Sequence, residues 1–276
     1  MTRGRAVSLH RTSAFDLPTP GGASTRILLA VPDEPAPPSG FPVLYLLDGG
    51  AYFGTLVEMV RLRRNRPAMT GVEACIVVGV AHPEAHPWDR ERRRREFTPA
   101  PGGDAETFRR LLHEELQPRI ETDTPADPER RVLLGHSLAA AFVLDTWLES
   151  PGRYDGMLAV SPSIWAFRER LFGGLARVID AAAPPRPRLR VAVGQYDQEL
   201  APWQLDAPDP DRLRARREER RMVDDAREWC ERAAAASAPS GDGRPSVHFE
   251  VFAGEDHASV LPAALTRSLR PLVGIR

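Results

Sequence analysis

The segment RVLLGHSLAA, residues 131–140, passes from an apolar strand pattern through a serine directly into a helix pattern. A serine at such a sharp strand-to-helix turn is typical of a nucleophile elbow, in which a strained backbone holds the hydroxyl above the edge of a sheet. Gly135 and Ala139 flank the turn, where small residues let the strand and the helix approach closely. Ala139 takes the place of the usual second glycine. We therefore predict that Ser137 lies at the apex of an elbow and acts as a nucleophile.

A serine hydroxyl is a weak nucleophile until a histidine takes its proton and an acid orients that histidine. Asp197 comes soon after the predicted strand Leu189–Val193. His257 comes soon after the predicted strand Val247–Phe252. The chain order of serine, acid and histidine is the order found in α/β-hydrolases. Glu199 is a second candidate for the acid, and a serine that only caps the following helix is the alternative interpretation of the turn.

Backbone N–H groups near the serine can hold the negative charge that develops on a substrate oxygen. The N–H of Leu138, at the start of the helix after the serine, is the first predicted donor. The second is expected from Asp48-Gly49-Gly50, which follows the strand Val43–Leu47. Glycines there allow a close approach of the backbone, and we favour the N–H of Gly50. A simple tight turn is the alternative interpretation of these glycines.

Short apolar runs bounded by turn residues alternate with helical patterns along the chain. The predicted strands are Ile27–Val31, Val43–Leu47, Cys75–Val80, Arg131–Leu134, Met157–Val160, Leu189–Val193 and Val247–Phe252. The predicted helices are Ala105–Gln117, Leu138–Glu149, Ile164–Ala183, Asp211–Ala236 and Ser259–Leu269. The alternation predicts an α/β fold with a mostly parallel central sheet and helices on both faces. No linker separates two cores, so we expect residues 1–276 to form a single domain.

The helix Asp211–Ala236 has the clearest start signal of these elements. Asp209 can cap its first turn, and Pro210 suits the first helical position. The charged run Arg212–Arg221 inside it is interpreted as a solvated helix face.

Arginine provides all 37 basic side chains, because the sequence of 276 residues contains no lysine. This absence argues against enzymes whose chemistry needs a lysine, such as P-loop proteins, pyridoxal phosphate enzymes, Ser-x-x-Lys hydrolases and kinases. With 38 acidic side chains the formal net charge is −1, which disfavours a general surface for nucleic acid or membranes.

Residues 1–20 lack the apolar run of a signal peptide, and the longest uncharged stretches are too short to span a membrane. Cys75 and Cys230 lie far apart in core-like segments and are interpreted as buried free thiols, with no zinc site indicated. We expect a cytoplasmic protein that acts on a small molecule and has neither nucleic acid nor a membrane as partner.

Five segments, in order along the chain, form a joint pattern that is more specific than any one of them. They are Phe41–Gly49 (FPVLYLLDG), Arg94–Pro99 (RREFTP), Gly135–Leu138 (GHSL), Val160–Trp165 (VSPSIW) and Gly254–Val260 (GEDHASV). The pattern resembles the putative-esterase family of α/β-hydrolases, in its enterochelin-esterase-like (siderophore esterase) branch. The resemblance implies that Ser137 is the nucleophile, His257 the general base and Asp197 the acid. It also implies ester or lactone bonds in siderophore-like catechol conjugates as substrates. A two-step acyl transfer by these residues needs no metal or organic cofactor.

The run Trp88–Arg95 (WDRERRRR) is the densest basic stretch of the chain. A solvated or Glu-paired surface is one interpretation. The other is a site for an anionic or catechol-type group, which guanidinium groups would bind through its oxygens or by stacking on its ring. The family resemblance supports an arginine here, and the spacing to Glu96–Pro99 selects Arg93, with Trp88 nearby. Trp165 either borders the pocket or packs on the sheet.

These patterns together predict a serine esterase that forms an acyl-enzyme on Ser137. An acyltransferase would use the same serine, histidine and N–H donors but would pass the acyl group to an alcohol or an amine. A noncatalytic ligand-binding protein on the same fold is the further alternative.

Overall fold

The computed structural model of the protein describes residues 8–19, 24–83, 89–150, 152–180, 187–235 and 246–274. Eight strands in this part of the chain form one sheet in the order β1-β2-β4-β3-β5-β6-β7-β8. The strands are β1 (Thr12–Pro18), β2 (Ser24–Ala30), β3 (Phe41–Leu47), β4 (Ile76–Ala81), β5 (Ala126–His136), β6 (Gly156–Val160), β7 (Arg188–Gly194) and β8 (Val247–Phe252). All neighbours from β4 to β8 in this order are parallel, whereas β2 pairs antiparallel with both β1 and β4.

The seven predicted strands are all present, with ends that differ by a few residues, and the mostly parallel sheet is confirmed. β1 was not predicted, because it is an edge strand with a single buried residue, Leu17, and no continuous apolar run. The central strands are easy to recognise for the opposite reason, since both of their faces are buried. Along β3, Val43 and Tyr45 pack into one core cluster and Leu44 packs into the other.

Ten α-helices accompany the sheet. They are α1 (Gly49–Arg64), α2 (Pro67–Thr70), α3 (Arg90–Phe97), α4 (Ala105–Arg110), α5 (Gln117–Asp123), α6 (Leu138–Glu149), α7 (Arg168–Asp180), α8 (Pro210–Arg220), α9 (Met222–Ala235) and α10 (Val260–Val273), as far as the structure describes the chain. Buried residues of α1 and α10 cover one face of the sheet, and those of α3 to α7 and α9 cover the other, as predicted. None of the described helices combines the length and the hydropathy that a bilayer-spanning segment requires.

The predicted helix Asp211–Ala236 is wrong in its continuity. Asp209 accepts a hydrogen bond from the N–H of Arg212 and starts α8 as expected, but Arg221 then adopts a left-handed conformation with a φ of 47°. The side-chain oxygen of Gln198, from a distant loop, accepts the N–H groups that begin α9. The predicted helix is therefore divided at Arg221, and the contact with Gln198 that begins the second part cannot be inferred from the local sequence.

Other helix predictions needed smaller corrections. α6 has the predicted bounds, and α10 extends four residues past Leu269. The predicted helix Ala105–Gln117 is interrupted by a π-helical turn, Leu111–Leu116. The predicted helix Ile164–Ala183 begins as a 3-10 turn, and its last three residues lie outside the described part. α1 and α3 were not predicted, because α1 opens with two glycines and α3 is almost entirely charged.

Four neighbouring strands end at the same edge of the sheet, and three of them carry the predicted residues Ser137, Asp197 and His257 there. β5 ends one residue before Ser137, and β6 ends one residue before Ser161. β7 ends three residues before Asp197, and β8 ends five residues before His257. Because these strands are parallel and adjacent, their carboxyl ends place the four residues side by side.

Gly135 has no room for a side chain, since a Cβ there would lie 2.6 Å from the carbonyl oxygen of Ala139. We expect Gly135→Ala to lower the free energy of unfolding by about 1–3 kcal/mol, measured by urea denaturation. Gly173→Ala on α7 is the matched control, because nothing lies within 4 Å of its Cβ. Helix propensity predicts that this control gains up to about 1 kcal/mol. Wild-type stability in Gly135→Ala would contradict the close approach of β5 and α6.

Candidate active site

Ser137 occupies the sharp turn between β5 and α6, with a φ of 61° and a ψ of −117°. These angles lie outside the regions that L residues normally adopt, so the surrounding structure has to hold them. The N–H of Ser137 donates to the carbonyl of Val160 on β6 at 2.9 Å. Although Ser137 stands at the N-cap position of α6, its hydroxyl makes no capping bond. The capping interpretation is therefore wrong, and the hydroxyl is free for another partner.

The Ser137 hydroxyl, the His257 imidazole and the Asp197 carboxylate form a continuous chain of contacts. Oγ of Ser137 lies 3.1 Å from Nε2 of His257. Nδ1 of the same imidazole lies 2.6 Å from Oδ1 of Asp197. Both distances are in the range of hydrogen bonds. The structure thus brings together the three residues that the sequence singled out as nucleophile, base and acid.

Asp197 is closed to solvent and accepts hydrogen bonds on both carboxylate oxygens. Oδ2 accepts from the Ser161 hydroxyl at 2.5 Å and from the N–H of Gly194 at 2.8 Å. Burial acts to raise the pKa of Asp197, but the hydrogen bonds from His257, Ser161 and Gly194 outweigh it and leave the pKa lowered. Asp197 is therefore a carboxylate that accepts the Nδ1–H of His257. The unprotonated Nε2 then faces Ser137.

Glu199, the other candidate for the acid, is engaged elsewhere. Its carboxylate accepts a hydrogen bond from the side-chain amide of Gln195 at 3.1 Å. The geometry therefore places Asp197, and not Glu199, beside the imidazole of His257.

His136 holds the backbone of His257 in place. Its Nε2–H donates to the backbone carbonyl of His257 at 2.8 Å, and the two ring centroids are 4.6 Å apart. Burial, together with the nearby His257, lowers the pKa of His136 to about 3, so the ring is neutral at ordinary pH. His136 thus fixes the loop that carries His257 without adding a charge.

Leu138 and Gly50 both lie in the first turn of a helix, where N–H groups have no partner within the helix. Leu138 is the first residue of α6, and Gly50 is the second residue of α1. Asp48 enters α1 with a φ of 56°, and a Cβ on Gly49 would lie 2.6 Å from the backbone of Gly79 on β4. β3 and β5 are neighbours, so the helices that follow them start at the same edge of the sheet. Both predicted donors are therefore placed at the edge where Ser137 lies.

A cleft of about 530 Å³ opens over Ser137 and His257. Its remaining wall consists of Arg94, Thr98, Gly102, Leu138, Ser163, Trp165, Ala166, Phe167, Arg220 and Met222. Trp165 is 40% exposed and lines this cleft, so it borders the pocket rather than packing on the sheet.

Arg93 is not part of the cleft wall. Its Nε and Nη2 donate to the two carboxylate oxygens of Asp48 at 2.6 and 2.8 Å. The Asp48 carboxylate is buried; burial raises its pKa, and the hydrogen bond and the charge of Arg93 act against that rise. The guanidinium group of Arg93 is thus already paired. It holds Asp48, the N-cap residue of α1, two residues before Gly50. Trp88, the other residue expected from this run, lies outside the described residues.

Two arginines of the cleft, Arg94 and Arg220, were not singled out from the sequence. Arg94 follows Arg93 in the same charged run, and only the helical geometry of α3 separates their directions. Arg220 falls in the run interpreted as a solvated face. Its half-buried position depends on the left-handed residue Arg221 that ends α8, for which the sequence carries no strong signal.

Sequence comparison matches residues 22–240 to the family described as "Putative esterase". The chain is 32% identical over 264 residues to the ferri-bacillibactin esterase BesA of Bacillus subtilis, a match that covers 89% of this chain and 83% of that protein. It is 28% identical over 247 residues to a siderophore enterobactin esterase of Emericella nidulans, covering 81% of this chain and 79% of that protein.

The fold is similar to solved structures over its full length. The BES protein from Bacillus cereus superposes with a TM-score of 0.82 at 27% identity, covering 100% of this chain and 99% of that one. Together with the sheet order, this likeness confirms the predicted α/β-hydrolase fold.

Asp197→Asn is expected to lower kcat for a p-nitrophenyl ester by a factor on the order of 10⁴, because the amide would hold the imidazole of His257 in the wrong tautomer. Glu199→Gln is the matched control, since Glu199 contacts Gln195 instead of His257. Its kcat should stay within about twofold of wild type. A large loss in Glu199→Gln with little change in Asp197→Asn would contradict the observed contacts.

Proposed function

The chain belongs to the family described as "Putative esterase", and we propose that it is a serine esterase with Ser137 as nucleophile, His257 as general base and Asp197 as acid. The observation that carries this proposal is the unbroken chain of contacts from the Ser137 hydroxyl through the imidazole to a buried carboxylate. The hydroxyl also opens into a cleft large enough for a small-molecule ester.

The first half of the reaction transfers the acyl group to the enzyme. Nε2 of His257 takes the proton of Ser137 as Oγ attacks the ester carbonyl, and the carbonyl oxygen becomes an oxyanion. The carboxylate of Asp197 stabilises the imidazolium that forms. Collapse of the intermediate breaks the ester C–O bond, and the leaving alcohol takes the proton from Nε2 of His257. An acyl-enzyme on Ser137 remains.

The second half repeats the chemistry with water. His257 takes a proton from a water molecule as its oxygen attacks the acyl carbonyl. The new intermediate collapses, the carboxylic acid leaves, and Oγ of Ser137 recovers its proton from Nε2. Each step needs only water and groups of the chain itself.

The oxyanion of both intermediates is held by the N–H groups of Leu138 and Gly50. Their first-turn positions support this role, because such N–H groups are not used inside the helices and carry the positive end of the helix dipole. In a site sheltered from water, each such donor contributes about 2.7–4 kcal/mol to the stability of the transition state.

The substrate that the relatives support is an ester or lactone of a catechol-type siderophore, since two of them are named for ferri-bacillibactin and for enterobactin. We place the reaction in the cytoplasm. The support is that Cys75 and Cys230 are both free and buried, which suits a reducing compartment.

Hydrolysis of a catechol-serine trilactone, followed by liquid chromatography and mass spectrometry, tests the proposal. Wild type should release the linear and monomeric acids, and Ser137→Ala should lower kcat/KM by at least about 10⁴-fold. Ser13→Ala on the exposed strand β1 is the matched control and should be unchanged. Acyl transfer to an added alcohol or amine in place of the acid would contradict a hydrolase and favour an acyltransferase. Near-normal turnover by Ser137→Ala would contradict the assignment of Ser137 as the nucleophile.

A further inference from the structure

Two arginines of the cleft differ from the other arginines near it. Arg94 and Arg220 both line the cleft over Ser137, and neither has an ion-pair partner among the described residues. Arg92 and Arg93, on the same helix as Arg94, are both committed to buried carboxylates. The cleft therefore contains two guanidinium groups without an ion-pair partner in the part of the chain that the structure describes.

Arg220 is held in a defined place by an aromatic ring. Its guanidinium carbon lies 4.2 Å from the ring centroid of Trp165, the distance of a cation–π contact. Partial burial, and then the charge of Arg216, lowers the pKa of Arg220, so the surroundings leave the charge poorly compensated. An anionic or oxygen-rich ligand would supply the missing compensation.

The position of Arg220 depends on the same loop that carries the acid. Arg220 is the last residue of α8, and Arg221 turns the chain into α9. Gln198, directly after Asp197 in the chain, accepts the N–H groups of Val223 and Asp224 at 3.0 Å. The junction of α8 and α9 is thus tied to the acid loop.

Arg94 contributes from a different element. It lies on the last turn of α3. On the same helix, the guanidinium group of Arg92 donates hydrogen bonds to Glu96, to the hydroxyl of Thr25 and to the carbonyl of Ser24. These buried contacts fix the helix, so the direction of the exposed Arg94 side chain is constrained at its base. The cleft then receives one cation from α3 and one from the end of α8.

We propose that Arg220, stacked on Trp165, and Arg94 form the recognition site for an aromatic ring with two adjacent oxygens, a catechol or its anion, carried by the ester substrate. The planar fork of a guanidinium matches two neighbouring oxygens, and the exposed part of Trp165 can contact the ring. The assignment rests on the proposed esterase function. It assigns recognition of the ring to Arg94 and Arg220 in place of Arg93, because the guanidinium group of Arg93 is already paired with Asp48.

Two esters that differ only in the ring oxygens test this site: p-nitrophenyl 2,3-dihydroxybenzoate and p-nitrophenyl benzoate. Wild type should prefer the dihydroxy ester. Arg220→Gln and Arg94→Gln should each lower kcat/KM for it by about tenfold or more, and for the benzoate by less than about twofold. Trp165→Leu should lower kcat/KM for both esters, because both rings would lose the contact with the indole.

Arg214→Gln is the matched control, since Arg214 lies on α8 but pairs with Asp211 outside the cleft. It should keep the wild-type ratio of the two esters. Equal losses for both esters in Arg220→Gln and Arg94→Gln, or an unchanged ratio, would overturn the recognition site while the esterase stands. No hydrolysis of either ester by wild type would instead contradict the proposed function on which the site rests.

Discussion

The close approach of β5 and α6 is the constraint on which the site depends. Gly135 and Ala139 let the backbone of the strand lie against the backbone of the helix, and no larger residue fits at Gly135. Ser137 must then turn within one residue, which forces its left-handed φ and prevents its hydroxyl from capping the helix. The hydroxyl is directed to His257 instead, and the N-terminus of α6 is brought against the same point.

Arginine, the only strongly basic residue of the chain, serves two different purposes around this point. Arg92 and Arg93 form ion pairs with the buried carboxylates of Glu96 and Asp48, where they fix α3 and the start of α1. Arg94 and Arg220 line the cleft and have no ion-pair partner among the described residues. An arginine is paired inside the protein where a carboxylate lies within its reach, as Glu96 does four residues after Arg92 and Asp48 does 45 residues before Arg93.

The sequence predicted the central strands and the contacts of Ser137, His257 and Asp197 because local patterns determine them. Apolar runs buried on both faces mark the strands, and parallel strand ends bring their following loops together. The role of Arg93 and the break at Arg221 could not be predicted in this way. Asp48 lies 45 residues from Arg93, and Gln198 lies 25 residues from Val223, so only the folded chain brings these groups into contact.

The central claim is that Ser137 is an activated nucleophile, and intact mass after incubation with a fluorophosphonate probe tests it most directly. The account predicts one covalent adduct on the wild-type protein and none on Ser137→Ala, since only a serine deprotonated by His257 attacks the phosphorus at a useful rate. An unlabelled wild-type protein, or an adduct that persists in Ser137→Ala, would contradict it.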